Sequence, residues 1–245
     1  ARIVMEGRQA AKAKEEFERM APMLGGLERQ QAQVRVGAAL YHQRKAAAAL
    51  DWLRPLEVTE AEADAERRYY IVASFRRQDS DDEMYVAMEE LSRRAPNSPW
   101  RLKALVLAGN EGLVQNDPNR YLPLYSACAA AFPDSADAPY CHWKVAWRAY
   151  LDRRSTAGGL LREHLDRFPT SEKAGAALYF LGRLAEEGGD AAYARRLYVE
   201  LQSRFPNYYY ALQAGERLKG AALQRAGSSA SAEKFLAGIR WPVRN

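Results

Sequence analysis

Arg167-Phe168-Pro169-Thr170-Ser171 opens, and Arg204-Phe205-Pro206-Asn207-Tyr208 closes, the stretch that decides how this chain folds. The same phrase stands earlier as Ala131-Phe132-Pro133-Asp134-Ser135 and, more loosely, as Arg94-Ala95-Pro96-Asn97-Ser98. The four prolines are 37, 36 and 37 residues apart. Proline cannot continue a helix and biases the residue before it away from the α region. The Asp, Asn, Ser or Thr after it can cap the next helix. Each phrase therefore reads as helix end, turn, helix start. Between phrases there is room for two helices and a short turn. The inner turns are Asn116-Asp117-Pro118-Asn119, Arg153-Arg154-Ser155-Thr156 and Gly188-Gly189-Asp190.

Within Ser171 to Pro206 the first helix carries Ala177, Leu178, Leu181 and Ala185, and the second carries Ala194, Leu197, Tyr198 and Leu201. Spacings of three and four put one apolar stripe on each helix. This unit resembles a tetratricopeptide repeat. Gly182 and Ala194 stand at that family's small close-contact positions, Tyr198 at its large second-helix position and Pro206 at its terminal proline. Met88, Tyr125 and Leu161 correspond to Tyr198, again 37, 36 and 37 apart. Gly109 corresponds to Gly182, and Val145 stands between them. The reading is an all-α, right-handed superhelical solenoid of tetratricopeptide-like helix pairs over residues 1–225, clear over 81–214 and degenerate upstream.

Upstream, Met5 to Met20, Gln30 to Gln43, Ala46 to Leu53, Glu60 to Arg76 and Asp81 to Arg94 read as helices. Gly25-Gly26 is expected to end an earlier helix and Pro55 another unit. Downstream, Tyr208 to Arg225 reads as one helix. Ala226 to Ser231 reads as a flexible linker, and Phe235 to Asn245 as a tail that needs a neighbour for packing. Residues 226–245 are thus expected to lead toward a further domain.

Composition agrees. Of the 245 residues 48% are hydrophobic and 27% charged, which supports a core and excludes a disordered composition. Ala, Leu, Arg and Glu dominate while β-branched residues are sparse, a bias that favours helices. The net charge of +5 is spread along the chain without a basic stripe, so nucleic-acid binding is not expected. No apolar run approaches the roughly 20 residues that span a bilayer. The chain starts Ala1-Arg2-Ile3, without an initiator Met or a signal-peptide pattern, and is expected to be a processed protein or an excised fragment. Cys128 and Cys141 flank Pro133-Asp134-Ser135 almost symmetrically. They read either as a disulfide, suited to an oxidising compartment, or as two buried small hydrophobes.

A more specific resemblance rests on the last unit and its exit. Ala176-Ala177-Leu178-Tyr179-Phe180-Leu181-Gly182-Arg183 leads through Glu187-Gly188-Gly189-Asp190 to Ala194-Arg195-Arg196-Leu197-Tyr198. Then follows Phe205-Pro206-Asn207-Tyr208-Tyr209-Tyr210-Ala211-Leu212-Gln213-Ala214. This looks like the final repeats of the superhelical domain of soluble lytic murein transglycosylases. The aromatic helix with Trp143, Trp147 and Tyr150 suits such a repeat. The resemblance covers about Ser135 to Ala214. It implies a periplasmic protein whose parent cleaves peptidoglycan glycan strands through a C-terminal lysozyme-like domain. That domain's Glu-Ser, Gly-Leu-Met-Gln and Ala-x-x-x-Asn-Ala-Gly segments do not occur here. The chain itself is then expected to be non-catalytic, a ring or scaffold with peptidoglycan, the same parent's catalytic domain or other envelope proteins as partners. The alternative is a stand-alone tetratricopeptide-type protein-binding scaffold of the bacterial cell envelope.

No catalytic, cofactor or metal site is expected from the residues. Glu15-Glu16, Glu89-Glu90 and Glu186-Glu187 read as solvated helix faces. His42, His142 and His164 are isolated, and a Cys128, Cys141, His142 and His164 cluster matches no zinc spacing. His164, beside Leu161 and Leu165, reads as a packed or half-exposed histidine. Gly158-Gly159 and Gly188-Gly189 read as inter-helix turns, and neither a phosphate loop nor a Gly-x-Ser-x-Gly elbow is present. Candidate ligand contacts are Tyr208, Tyr209 and Tyr210, of which at least one must pack inward, together with Arg195 and Arg196. The edge at Arg153-Arg154 reads as a solubilising or anion-attracting surface.

Overall fold

Two kinds of turn, each repeated, lay out the backbone. The computed structural model describes residues 9–242. They form α1 (Ala10–Met20), a 3-10 turn (Ala21–Met23), α2 (Gly26–His42), α3 (Ala46–Leu53), α4 (Ala61–Arg77), α5 (Asp81–Arg94), α6 (Pro99–Val114) and α7 (Pro118–Ala131). Then come α8 (Ala138–Leu151), α9 (Ala157–Arg167), α10 (Ala174–Glu187), α11 (Ala191–Arg204), α12 (Tyr209–Leu218), α13 (Ala221–Arg225) and α14 (Ala230–Gly238). No strand occurs among the described residues, so the expected all-helical class is observed. The chain forms two compact units, Ala1–Ser135 with α1 to α7 and Ala136–Asn245 with α8 to α14. The start of the helix expected from Met5, and the last three residues of the expected tail, lie outside the described residues.

The inner turn centres on a left-handed residue: Arg44, Asp79, Asn116, Arg153 and Gly189, with φ between 53° and 82°. The next residue's N–H reaches back to a carbonyl of the last helical turn: Lys45 to Leu40, Ser80 to Phe75, Asp117 to Gly112, Arg154 to Ala149 and Asp190 to Ala185. These bonds satisfy carbonyls that the helix end leaves open. They span only 2.9 to 3.1 Å. The left-handed conformation costs a residue with a Cβ about 1 kcal/mol, and here it is held by this bond pattern. The outer turn centres on Ala95, Phe132, Phe168 and Phe205, each at φ −129° to −136° and ψ 54° to 63°. The carbonyl of each accepts from the N–H three residues on, in Ser98, Ser135, Ser171 and Tyr208. The proline that follows holds its predecessor in this non-helical region.

Capping follows the expectation at one outer turn only. Ser98 accepts from the Trp100 N–H at 3.2 Å and opens α6. After Ser135 and Ser171 the helices start three residues further on, at Ala138 and Ala174. Tyr208 opens α12 without a side-chain cap. The effective caps belong to inner turns, with Asp117 on α7 and Asp190 on α11.

Successive helices then pack in neighbouring pairs, and α2 also packs on α4, α4 on α6 and α10 on α12. Small first-helix residues admit large second-helix ones. A Cβ on Gly182 would lie 2.5 Å from the Tyr198 ring, and one on Gly109 2.9 Å from the Tyr125 ring. Gly37 is filled in the same way by Leu53. Counted from the left-handed residue, the matching position in α8 is the buried Ala146, not the half-buried Val145. The shift has a simple cause. From Arg153 to Phe168 is 15 residues, whereas the corresponding interval after Asp79, Asn116 or Gly189 is 16.

Three local expectations are corrected. Gly25-Gly26 begins α2 rather than ending a helix: Gly25 is its N-cap and Gly26 has φ 49°. The helix expected over Tyr208 to Arg225 is broken at Lys219-Gly220 into α12 and α13. The expected linker keeps only four residues of coil, 226–229, and its last two, Ala230 and Ser231, already belong to α14. Ser229 caps it by accepting from the Ala232 N–H, and Ala232, Leu236 and Ile239 are buried in the core of the second unit. The apolar residues of the tail therefore find their neighbour within their own unit.

Candidate functional site: a ladder of aromatic rings

Trp143, Trp147 and Tyr150 are spaced four and three residues apart on α8 and so share one face. Trp147 stacks on Trp143 at 5.6 Å and on Tyr150 at 5.4 Å, with planes 14° and 13° apart. Phe180 of α10 meets Trp147 at 4.6 Å and Tyr150 at 4.7 Å. On its other side Phe180 meets Tyr210 of α12 at 5.0 Å, and Tyr179 stacks on Tyr210 at 4.9 Å. One continuous ladder of rings thus crosses α8, α10 and α12. Trp143, Tyr179 and Phe180 are buried, while Trp147, Tyr150 and Tyr210 are half-buried. At its end Tyr209 and Leu212 are 62% and 65% exposed.

The tyrosine triplet divides accordingly. Tyr208 lies over Gly175, where a Cβ would come within 2.9 Å of its ring, and Tyr210 joins the ladder. Tyr209 alone of the three is exposed. Arg195 is exposed on α11, whereas Arg196 is half-buried and paired with Glu200 at 2.8 Å and Glu233 of α14 at 2.6 Å. Arg196 is thus engaged in holding α14. Arg153 is a left-handed turn residue, and Arg154 pairs with Asp152 at 3.0 Å.

A polar edge runs beside the ladder. Arg217 donates from Nε to the Tyr179 hydroxyl at 3.2 Å and from Nη1 to Glu186 Oε2 at 3.0 Å. The Tyr198 hydroxyl donates to the same oxygen at 3.0 Å. Burial and this bond to Glu186 hold the Tyr198 hydroxyl far above its ordinary pKa, so it remains a donor. Glu186 is therefore a half-buried acceptor, not the solvated carboxylate its pairing with Glu187 suggests. Arg183 donates to Glu187 at 2.8 Å, while its buried Nε has no hydrogen-bond partner among the described residues. Burial also raises the pKa of Tyr150 and Tyr210. The arrangement offers flat apolar ring faces flanked by hydroxyls and guanidinium groups, a combination suited to binding.

The histidines are placed as a structural pair. His164 is fully buried, the packed of its two expected placements, and lies with its Nδ1 3.3 Å from that of His142. Cys128 and Cys141 are both disulfide-bonded, so of the two open readings the disulfide is observed, and neither offers a thiolate. Among the described residues no group of three or more His, Cys, Asp and Glu side chains is placed to hold a metal ion. No helix of the described residues is long and apolar enough to cross a membrane. In the first unit a groove of about 630 Å³ lies beside Arg67, Arg68, Ile71 and Phe75. Arg67 and Arg68 already face Asp64 at 2.7 Å, and Arg68 also faces Glu90 at 2.9 Å.

Reading the sequence drew attention to the tyrosine triplet and missed the larger surface it joins, with Tyr179, Phe180, Arg183, Arg217 and Glu186. A signal was present: aromatic residues at helical spacing in α8 and again at the matching level of α10. No protein-family model matches the chain, and no curated protein is significantly similar to it.

Proposed function

We propose that this chain is a tetratricopeptide-like superhelical solenoid serving as the non-catalytic scaffold domain of a periplasmic soluble lytic murein transglycosylase. The recurrence of one inner and one outer turn at 35 to 37 residues is the observation that carries the repeat reading. Stacked helix pairs bury a continuous core and leave long surfaces for a partner. The disulfide-bonded cysteines support an oxidising compartment. The aromatic ladder is the surface we assign to peptidoglycan, its rings stacking on sugar faces, with Tyr209 and Tyr210 at its accessible end. Glycan cleavage belongs to a lysozyme-like domain outside this chain. The test is incubation with purified sacculi at moderate salt. Retention of the chain without release of 1,6-anhydro-muropeptides is expected. Failure to be retained, or release by this chain alone, overturns the reading.

A second reading, a stand-alone protein-binding scaffold of the cell envelope, is favoured by one observation. Helices α13 and α14 fold back on α11 and cover it, as the terminal elements of repeat arrays do. The gene sequence after Asn245 separates the two. Glu-Ser and Gly-Leu-Met-Gln segments there favour the transglycosylase, and a stop codon favours the scaffold.

A further inference from the structure

Outside the ring ladder, the second unit contains a line of polar groups that its repeat architecture does not require. Ser171 Oγ lies 3.2 Å from His164 Nε2, His164 Nδ1 lies 3.3 Å from His142 Nδ1, and His142 Nε2 lies 3.4 Å from Glu163 Oε1. His142 comes from α8, His164 from α9, and Ser171 from the outer turn that leads into α10. The line thus ties one helix pair to the start of the next.

Its partners fix the protons. The Glu163 carboxylate selects a proton on His142 Nε2, which leaves His142 Nδ1 as an acceptor. His164 must then carry its proton on Nδ1, and its Nε2 accepts from the Ser171 hydroxyl. Ser171 Oγ in turn accepts from the Lys173 N–H at 3.1 Å. The facing Nδ1 atoms cannot both carry protons, so the pair cannot hold both rings charged.

We propose that the His142–His164 pair is a proton-triggered joint, and that mild acid opens the packing of α8 and α9 against the start of α10. His164 is wholly buried and His142 is 5% exposed. The Phe168 ring lies 5.6 Å from both imidazoles and the Trp143 ring 5.6 Å from His164, so a charge added on His164 would sit among aromatic rings. From α8 the facing titratable group is His142 itself. From α9 they are His164, Glu163 and Arg167, and from the turn to α10 the Ser171 hydroxyl. Glu163 is at the rim, 45% exposed, and is already bound by Arg167 at 2.7 Å. Burial, reinforced by His142 and Arg167, pushes His164 down to about 3, and burial also lowers His142.

The direction follows. A histidine whose folded pKa is depressed stays neutral when closed and takes up a proton when opened. Acid below the ordinary pKa near 6.5 therefore favours opening. From pH 7 to 4.5 one such histidine raises the open population roughly 75-fold. The inference is independent of the partner proposed above.

The experiment is native-state hydrogen exchange on the whole chain between pH 7 and 4.5, corrected for intrinsic rates. Protection in α8, α9 and the first turn of α10 is expected to fall about a hundredfold more than in α4 and α6. An equal fall in both regions, or none in α8 and α9, overturns the proposal. His164→Gln, neutral at every pH, is expected to reduce the difference to about tenfold or less, the share of His142. An unchanged hundredfold difference in that variant also overturns it. If the variant does not fold, the wild-type profile still decides.

Discussion

In the first unit, α2 meets α4 through Arg35, which bonds both oxygens of the buried Glu66 at 3.2 and 3.3 Å. There α4 meets α6 through Arg76 and Glu111 at 2.7 Å, and through Trp100 Nε1 donating to Glu62 at 3.0 Å. In the second unit α10 meets α8 and α12 through the faces and edges of rings. Yet the turns that set these helices at their spacing are the same in both units. Backbone layout and interlayer chemistry are thus separable. The turns dictate where first helices lie, and the side chains between them are free to mix charges and rings differently: the first unit adds Tyr41 on Tyr70 and Tyr69 on Trp100 to its ion pairs, and the second adds the Arg217–Glu186 pair to its ladder. An exposed or half-buried ion pair contributes roughly 0 to 1 kcal/mol, while an aromatic contact adds about 0.5 to 1.5 kcal/mol beyond the area it buries.

Truncating the ladder should show the difference most strongly. Phe180→Ala is expected to cost about 3 to 5 kcal/mol in urea unfolding, because one ring contacts Trp147, Tyr150 and Tyr210. Arg76→Ala, at its 44%-exposed ion pair, should cost under about 1 kcal/mol. Equal losses would break the comparison. Next in size is Gly182→Ala, expected to cost about 1 to 3 kcal/mol because its Cβ meets the buried Tyr198 ring. Gly159→Ala should instead stabilise by roughly 0.5 to 1 kcal/mol, since it lies in α9 with nothing within 4 Å. Thermal melts of the two variants that moved in the same direction would contradict the close-packing account.

Removing one hydroxyl sharpens the contrast further. Tyr198→Phe loses a donor to the carboxylate of Glu186, and Tyr125→Phe a donor to the neutral Asn110 amide oxygen at 2.7 Å. The first should cost about 1.5 to 3 kcal/mol and the second about 0.5 to 1.5 kcal/mol, read from denaturant midpoints. The smallest effect belongs to Tyr209→Ala. At 62% exposure it should change stability by no more than about 0.5 kcal/mol.

The repeat was legible where proline punctuates it. Pro96, Pro133, Pro169 and Pro206 mark the outer turns, and the helix boundaries expected at Ala46 to Leu53 and Asp81 to Arg94 match α3 and α5. Upstream the repeat persists without such marks. Arg44 and Asp79 occupy left-handed positions that Gly189 makes visible in the last pair, and Arg or Asp carries no such signal. Ala226 to Ser231 looked like a linker because its residues are small and polar. Ser229 is instead a helix cap, and Ala232 and Leu236, just beyond, supply the buried face. The ladder was only partly legible. Helical spacing puts Trp143, Trp147 and Tyr150 on one face, but only packing brings Phe180 and Tyr210 to meet them.

The most direct test of the account is co-sedimentation with purified sacculi at moderate salt, comparing the wild-type chain with Tyr209→Ala. The account predicts that the wild type pellets with sacculi and that the variant, equally stable, is largely left in solution. Equal pelleting of the two chains, or no pelleting of the wild type, would contradict the assignment of the aromatic ladder as the peptidoglycan surface.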